Sequence, residues 1–399
     1  MDIDQLVKNR QKGYSLPQAF YNHPEVFKRD MERVFRKEWL LAGAGQQIPE
    51  HGDFMTFNVA GDSIIITRGK DREIRAFHNV CRHRGARICL KAKGNAKNLA
   101  CPYHQWVYNL EGKLVSARII EKEEGFNKDA YSLKRVHVKM LCDLIYICLT
   151  ENPPDFEGTK SAIEPQLSWH QPEKTKVCYQ HEFDVKANWK LVLENNRECY
   201  HCATVHKQFM KANYDLRLFE DEYKDRQKNY YEKWEKLGIP TQAITFPGES
   251  SYRCERLILK EGFATETLSG EPSAPLLGKL PEADTGSVRC ITLPNAWYHA
   301  NCDYIMLSYV MPVDSGHTKV RVIYLVHEDA VENQDYVIED VTAVWNATSE
   351  QDQFVCEAVQ AGVNSSFYEP GPFSKLVEGW VEDFVQWYLK RVGSASVPG

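Results

Sequence analysis

The stretch Asn188–His206, NWKLVLENNRECYHCATVH, decides how the rest of the chain is read. It places Glu198, His201 and His206 within nine residues, behind an apolar run of Trp189, Leu191, Val192 and Leu193. The run fits a half-buried helix, and neither Pro nor Gly stops it before His206, so the helix is expected to reach that residue. Two imidazoles and a carboxylate from one helix suit a non-haem Fe(II) site, once a second carboxylate arrives from elsewhere. On a straight helix residues i and i+5 lie about 140° apart. His201 and His206 can therefore share one metal only if the helix bulges or ends between them.

A second motif lies about a hundred residues earlier. Cys81-Arg82-His83 and Cys101-Pro102-Tyr103-His104 read C-x-H, seventeen residues, then C-x-x-H. With 12 Cys and 13 His in 399 residues, an accidental match somewhere in the chain has a chance on the order of 10⁻². Two ligand sets read this way: tetrahedral zinc, or a Rieske [2Fe–2S] centre with two thiolates on one iron and two imidazoles on the other. C-x-H is an odd spacing for a zinc finger, whereas one Cys and one His from each of two loops is the Rieske order. Imidazoles in place of two thiolates raise the reduction potential and leave a titratable N–H on His83 and His104. His78 has no partner at ligand spacing and reads as structural.

At 399 residues the chain is too long for one core, so two domains are expected. A net charge of −6 without a Lys/Arg block argues against a nucleic-acid partner. The sequence has no apolar run of about 18 residues to span a membrane. Its N-terminus lacks the apolar core of a signal peptide, so the cytoplasm is the expected compartment. The twelve cysteines are dispersed, many in strand-like runs such as LCDLIYICL, which favours free thiols and metal ligands over a disulfide framework.

Residues 1–36 read as an N-terminal arm with a helix near Glu25–Arg36. Residues 37–154 hold short strands (FMTFNVA, SIIITRG, IRAFHNV, QWVYNL, KLVSARI) between Gly, Asp and Asn turns, and end at Pro153-Pro154. They predict a small antiparallel β domain. Residues 155–399 open with the strand VCYQHEFDV and the 188–206 helix. A charged, aromatic stretch at 219–238 follows, readable as an exposed helix or a lid. Four strand runs and helices near Tyr336–Val363 and Lys375–Arg391 complete an α+β domain.

NVCRHRGARIC with CPYHQWVYNLEGKL resembles the Rieske domain of Rieske non-haem iron oxygenases, and NWKLVLENNRECYHCATVH resembles the iron-binding helix of their alpha subunits. The resemblance implies a small β Rieske domain beside a larger helix-grip-like catalytic domain. It implies Cys81 and Cys101 on one cluster iron, His83 and His104 on the other, and His201 and His206 on a mononuclear Fe(II). SEQDQFVCEAVQAGVNS (349–365) resembles the segment that supplies the third ligand, at Asp352. Glu350 and Glu357 are the competing acids, and Glu357 does not easily share a helical face with Asp352. Glu198 matches the carboxylate that bridges the two metal sites. By the resemblance it faces His104 of a neighbouring subunit in a head-to-tail homotrimer. Cys199-x-x-Cys202 alone is open to a zinc or redox-dithiol reading. Beside the Rieske pattern both cysteines are taken as small packing residues.

Within that family the shared stretches YSLPQAFY, KEWLLAG, AFHNVCRHRGARIC, LPNAWYH, YLVHEDAVE and QAGVNSSFYEPGPFSK resemble the branch acting on quaternary ammonium compounds, the glycine betaine monooxygenases and stachydrine demethylases. The chain departs from that branch at VHK (205–207) and VENQDY (331–336). The implied activity is O₂-dependent hydroxylation of an N-methyl group, with loss of formaldehyde. Electrons come from NAD(P)H through a separate ferredoxin- or flavin-type reductase; the chain has no Gly-rich dinucleotide fingerprint. A permanent cation needs aromatic faces around it. Alternation in LPNAWYHAN puts Trp297 and His299 on one strand face and Tyr298 on the other. Trp297 is the candidate cage wall and His299 the candidate contact for a substrate carboxylate, with a plain core role for Trp297 as the competing reading. Two alternatives stand beside this function: hydroxylation of an aromatic or heteroaromatic ring, and a Rieske electron carrier without oxygenase activity.

Overall fold

Short runs of alternating residues punctuated by turn formers build the unit Phe35–Asp155 of this computed structural model, which describes residues 1–214, 221–245 and 250–393. Its strands are β1 (Leu40–Ala44), β2 (Asp53–Val59), β3 (Asp62–Arg68), β4 (Ile74–His78), β5 (Lys93–Asn95), β6 (Leu99–Ala100), β7 (Val107–Tyr108), β8 (Leu114–Ser116), β9 (Arg135–Leu141) and β10 (Leu144–Cys148). Seven form one antiparallel sheet in the order β1-β10-β9-β4-β3-β2-β5, and β6-β7-β8 form a second. The β2–β3 hairpin turns at Ala60-Gly61, both at positive φ, which is the two-residue geometry that keeps the strand twist continuous. The core of this unit gathers Phe77, Leu99, Trp106, Tyr108 and Leu114 around Cys81 and Cys101. The expected antiparallel β domain is present.

The second unit joins Met1–Val34 to the chain from Phe156 onward. Its sheet runs β11 (Thr175–Val185), β17 (His317–His327), β16 (Tyr304–Asp314), β15 (Ala296–Ala300), β14 (Ser287–Thr292), β13 (Tyr252–Leu257) and β12 (Ile244–Thr245), every neighbouring pair antiparallel. In β16 the residues from Tyr304 to Pro312 are all buried, so both faces of the strand are covered. The helix Ile338–Val363 packs on β11 and on the helix Trp189–Asn196. The charged stretch at 219–238 resolves as a helix, Asp221–Lys236, rather than a free lid; Tyr223 and Trp234 are buried with Ile239 and Ile258. Its first two residues, 219 and 220, lie outside the described residues. Near the N-terminus the helix Pro24–Asp30 continues as a wider turn over Met31–Phe35, close to the expected span. Among the described residues no helix is long and apolar enough to cross a membrane.

The helix Trp189–Asn196 is fixed to the core by a buried polar knot. Asn188 caps it, its side chain accepting from the Lys190 N–H at 3.0 Å. Asp30, fully buried, accepts from Lys190 Nζ, from Trp189 Nε1 at 3.0 Å and from Tyr388 Oη at 2.6 Å. Burial raises the Asp30 carboxyl and lowers the Lys190 ammonium, and each partner opposes the shift of the other. Replacing Lys190 by Met leaves the carboxylate buried without its counter-ion. The unfolding free energy is expected to fall by about 3–5 kcal/mol, measured as the shift in denaturation midpoint. Unchanged stability would mean that Trp189 and Tyr388 alone suffice to hold Asp30.

Candidate metal centres and substrate cavity

Two loops of the same design carry the first ligand set. The Cys81 N–H bonds the Ala86 carbonyl and the Gly85 N–H returns to the Cys81 carbonyl; Cys101 does the same with Trp106 and Gln105. Both turns close through a residue at positive φ, Gly85 at +77° and Gln105 at +58°. The repeat places the two cysteines side by side in the core, 3% and 1% exposed. The His83 and His104 rings lie 4.6 Å apart toward the surface. His83 stacks on Trp106 at 4.9 Å, which fixes its plane. Burial raises the Cys101 thiol, and the adjacent Cys81 thiol adds to the rise; a cation between them removes that penalty. The donor set therefore fits two irons, thiolates inward and imidazoles outward.

Tyr108 adjoins this set. Its oxygen accepts the Arg82 N–H at 3.0 Å, which leaves its hydroxyl hydrogen for Cys81 Sγ at 3.4 Å. A hydrogen bond to a ligating sulfur favours the more negative, reduced cluster. Tyr108→Phe is expected to lower the cluster potential by roughly 40 mV, the one-electron equivalent of about 1 kcal/mol. Redox titration followed by visible absorbance reads it; an unmoved midpoint would remove Tyr108 from the ligand environment.

The second ligand set differs locally from the expected continuous helix. The helix ends at Asn196, before both histidines, and a four-residue turn, Cys202–Val205, follows. The reason is competition for backbone donors: the Arg197 N–H bonds back to Glu194 at 3.0 Å, and the Glu198 carboxylate takes the Tyr200 N–H. His201 and His206 sit at the two ends of the short turn, free of the 140° separation a straight helix imposes. Cys199 and Cys202 depart from expectation too. They are bonded to each other, with Cα atoms 4.9 Å apart, instead of packing as free thiols. The turn brings them within the span of a disulfide. Among the described residues the other ten cysteines form no disulfide.

His201 Nε2 and His206 Nε2 are 2.9 Å apart, and Asp352 Oδ1 lies 3.3 Å from the first and 3.0 Å from the second. Asp352 Oδ1 is buried and makes no hydrogen bond in a proper direction. Three ligands at about 2.1 Å from a metal, mutually at right angles, are separated by roughly 3.0 Å. The observed triangle has the dimensions of one face of an octahedron, and it would suit a two-histidine, one-carboxylate iron site. Cys202 Sγ also falls within 4.8 Å of the two imidazoles, but its bond to Cys199 withdraws it as a ligand. Glu350 is exposed, and Glu357 accepts the Lys186 N–H at 3.0 Å, so neither competing acid joins the triangle.

The outer nitrogens of both imidazoles are held. His201 Nδ1 meets Glu198 Oε1 at 2.5 Å, and His206 Nδ1 meets Gln351 Oε1 at 2.9 Å. With Nδ1 protonated toward these oxygens, each Nε2 presents a lone pair to the centre of the triangle. Burial opposes a proton on His201, yet Asp352 and Glu198 outweigh it and raise the imidazole to about 9. Burial works against the charge on Asp352, and the two imidazoles hold its carboxyl below the usual range. The cluster of groups calls for positive charge, as a proton or as a metal ion. Gln351 has no motif signature; its place beside Asp352 on the helix was the only available hint.

The triad opens onto a cavity of about 440 Å³. Trp297 and His299 both line it, as the strand alternation predicts, while Tyr298 lies buried on the opposite face. Phe209, Tyr214, Trp345 and Trp380, from segments distant in sequence, complete an aromatic wall. His299 Nδ1 pairs with Glu266 at 3.1 Å, and Arg289 donates to the same carboxylate at 2.9 Å. Burial works against the charge of Glu266, and His299 and Arg289 hold it down to about 2. Arg253, stacked on Trp380 and paired with Glu255, and Arg197 add positive charge to the wall.

Residues 38–127 match the Rieske [2Fe-2S] domain and residues 172–394 the ring hydroxylating alpha subunit catalytic domain. The chain belongs to the Rieske oxygenase alpha subunits, oxidoreductases with a Rieske [2Fe–2S] cluster and a mononuclear iron. Among its relatives, the glycine betaine monooxygenase oxygenase subunit of Pseudomonas aeruginosa (strain UCBPP-PA14) is 38% identical over 97% of this chain and 91% of its own. The subunit of the same name from Chromohalobacter salexigens is 38% identical over 96% and 87%. A solved structure of the quaternary ammonium Rieske monooxygenase CntA with an inhibitor shares the fold, with a TM-score of 0.75 and 22% identity over 97% of this chain and 98% of the other.

Proposed function

We propose that this chain is the terminal oxygenase component of a monooxygenase that hydroxylates an N-methyl group of a quaternary ammonium compound, giving the demethylated amine and formaldehyde. One observation carries the reading: the His201/His206/Asp352 triangle faces a cavity walled by Trp297, Trp345, Trp380, Phe209 and Tyr214. A cation without N–H groups is bound by aromatic faces, and these rings line the same cavity as the triangle.

The cluster and the iron, when bound, supply single electrons and activation of O₂. Cys81, His83, Cys101 and His104 would hold the cluster, and His201, His206 and Asp352 the iron. The unit Phe35–Asp155 then receives electrons and the remainder of the chain carries out oxygenation. Glu198 orients His201 through Nδ1 and, in a homotrimer, faces His104 of a neighbouring subunit. Gln351 does the same service for His206. The aromatic wall places a methyl C–H toward the open side of the metal face and excludes water from it. A separate NAD(P)H-dependent reductase, in the cytoplasm, feeds the cluster.

Oxygen uptake and formaldehyde release, with a surrogate reductase and a panel of quaternary amines and aromatic acids, test the proposal. Quaternary amines are expected to stimulate both. Uptake driven only by ring substrates, with hydroxylated rings as products, would replace it by the ring-hydroxylase reading.

A further inference from the structure

The Cys199–Cys202 bond is wound into the metal-binding turn itself. Cys199 follows Glu198 and Cys202 follows His201, so the bond straddles an imidazole and the carboxylate that holds its Nδ1. The two cysteines differ in their surroundings. Cys199 is half-buried beside the exposed Tyr200, whereas Cys202 is 5% exposed. Cys202 Sγ lies within 4.8 Å of a ring nitrogen on each of His201 and His206. Both cysteines line the cavity, so a small thiol reaches the bond by the space that leads to the triangle. The bond spans only three residues. A loop this short has little unfolded-chain entropy to remove, so the bond is a poor staple for the fold.

What the bond does is keep one sulfur out of the donor set. A thiolate is a strong metal ligand, and a sulfur tied up in a disulfide is not. Around a tetrahedral zinc, a thiolate at about 2.3 Å and an imidazole nitrogen at about 2.1 Å lie roughly 3.6 Å apart. A freed Cys202 Sγ therefore needs a shift on the order of 1 Å to join His201, His206 and Asp352 as a fourth donor. Opening follows ordinary exchange with a dithiol. One thiolate attacks the more accessible Cys199 Sγ and expels the Cys202 thiolate toward the imidazoles. The second thiol attacks the mixed disulfide, frees Cys199 and closes the reductant into its own disulfide. Two electrons and two protons pass from the dithiol to the chain.

We infer that the Cys199–Cys202 bond is a redox lock on which metal the site accepts. Closed, it leaves two histidines and one carboxylate, a set with open positions that suits iron. Opened by a dithiol, it releases Cys202 as a fourth ligand and turns the same place into a closed zinc site. Thiolate is a soft donor that favours zinc over Fe(II), and four protein donors leave no position for O₂. The inference rests on the reading of His201, His206 and Asp352 as the iron site and is independent of the substrate. In a reducing cytoplasm the disulfides that form are redox-sensing or catalytic ones, which is the role this bond takes.

The test divides anaerobic holoenzyme into a portion left closed and a portion opened with dithiothreitol, which is then removed. Alkylation and peptide mass spectrometry count the thiols freed at Cys199 and Cys202. Each portion is then challenged with Zn(II) against Fe(II), and bound metals and acid-labile sulfide are measured. Zinc outcompetes Fe(II) at most nitrogen sites, so the reading is how far opening changes the zinc-to-iron ratio. That ratio is expected to rise by about 100-fold or more, with the cluster's sulfide retained, and to fall back on reclosure with diamide. Cys199→Ser, which cannot lock, should show the opened ratio without reductant. Cys202→Ser should show the closed ratio with it. A ratio that opening leaves unchanged, or a bond that dithiothreitol does not open in the folded enzyme, would overturn the inference. The iron-site reading survives either result as long as the closed form holds an iron beyond the cluster. A closed form without that iron would sink both. The comparison on the unaltered enzyme decides the matter even if neither variant folds.

Discussion

Asp352→Ala is expected to remove the mononuclear iron and leave the cluster. Iron per chain should fall from about three to about two, acid-labile sulfide should stay, and formaldehyde release should drop by about 10³-fold or more. The effect is large because Asp352 is the single negative charge in a triangle otherwise made of two neutral imidazoles. Without it, Nε2 of His201 and Nε2 of His206 remain 2.9 Å apart but form only one edge of the coordination sphere. A divalent ion held by two imidazoles keeps little advantage over its hydrated form. Retention of three irons would show that another donor closes the site.

Glu198→Gln separates positioning from binding. The amide keeps the size of the carboxylate but gives up its charge and one acceptor. Two donors now depend on that side chain, the His201 Nδ1–H at 2.5 Å and the Tyr200 N–H. Iron and cluster contents are expected to hold within about twofold, because all seven ligands remain. Reoxidation of the reduced cluster by O₂ with substrate, followed in single-turnover experiments, is expected to slow by about 100-fold or more. A rate unchanged with both metals in place would exclude Glu198 from the electron path. A loss of iron instead would make it a support for His201 and nothing more.

The chemistry was the most legible part of the sequence. Cluster ligands must be Cys and His at short loop spacing, and a facial iron site needs two His and an acid, so the residue types themselves carry the signal. Strand runs such as FMTFNVA and KVRVIYLVHED were readable because one or both of their faces are buried in the final sheets. The end of the 188–196 helix was not, since it depends on the Glu198 side chain outcompeting a backbone carbonyl for the Tyr200 N–H. The Cys199–Cys202 bond was missed for the same reason: it belongs to a turn that helix periodicity did not show. Gln351, Trp345, Trp380 and Arg197 gave no warning either. Each finds its place only after distant segments meet, Gln351 at His206 and the others at the cavity wall, and a single buried arginine looks in sequence like any exposed one.

The twin cysteine loops leave the cluster site with a single conducting window. Its sulfur side is sealed by Trp106, Tyr108 and the sheet beneath, while His83 and His104 reach the outside. Charge therefore enters and leaves this unit by the two imidazole edges alone. In the proposed homotrimer His104 is turned toward a neighbouring subunit, which leaves the His83 edge to an incoming donor, so a bulky side chain placed there would slow filling without touching discharge.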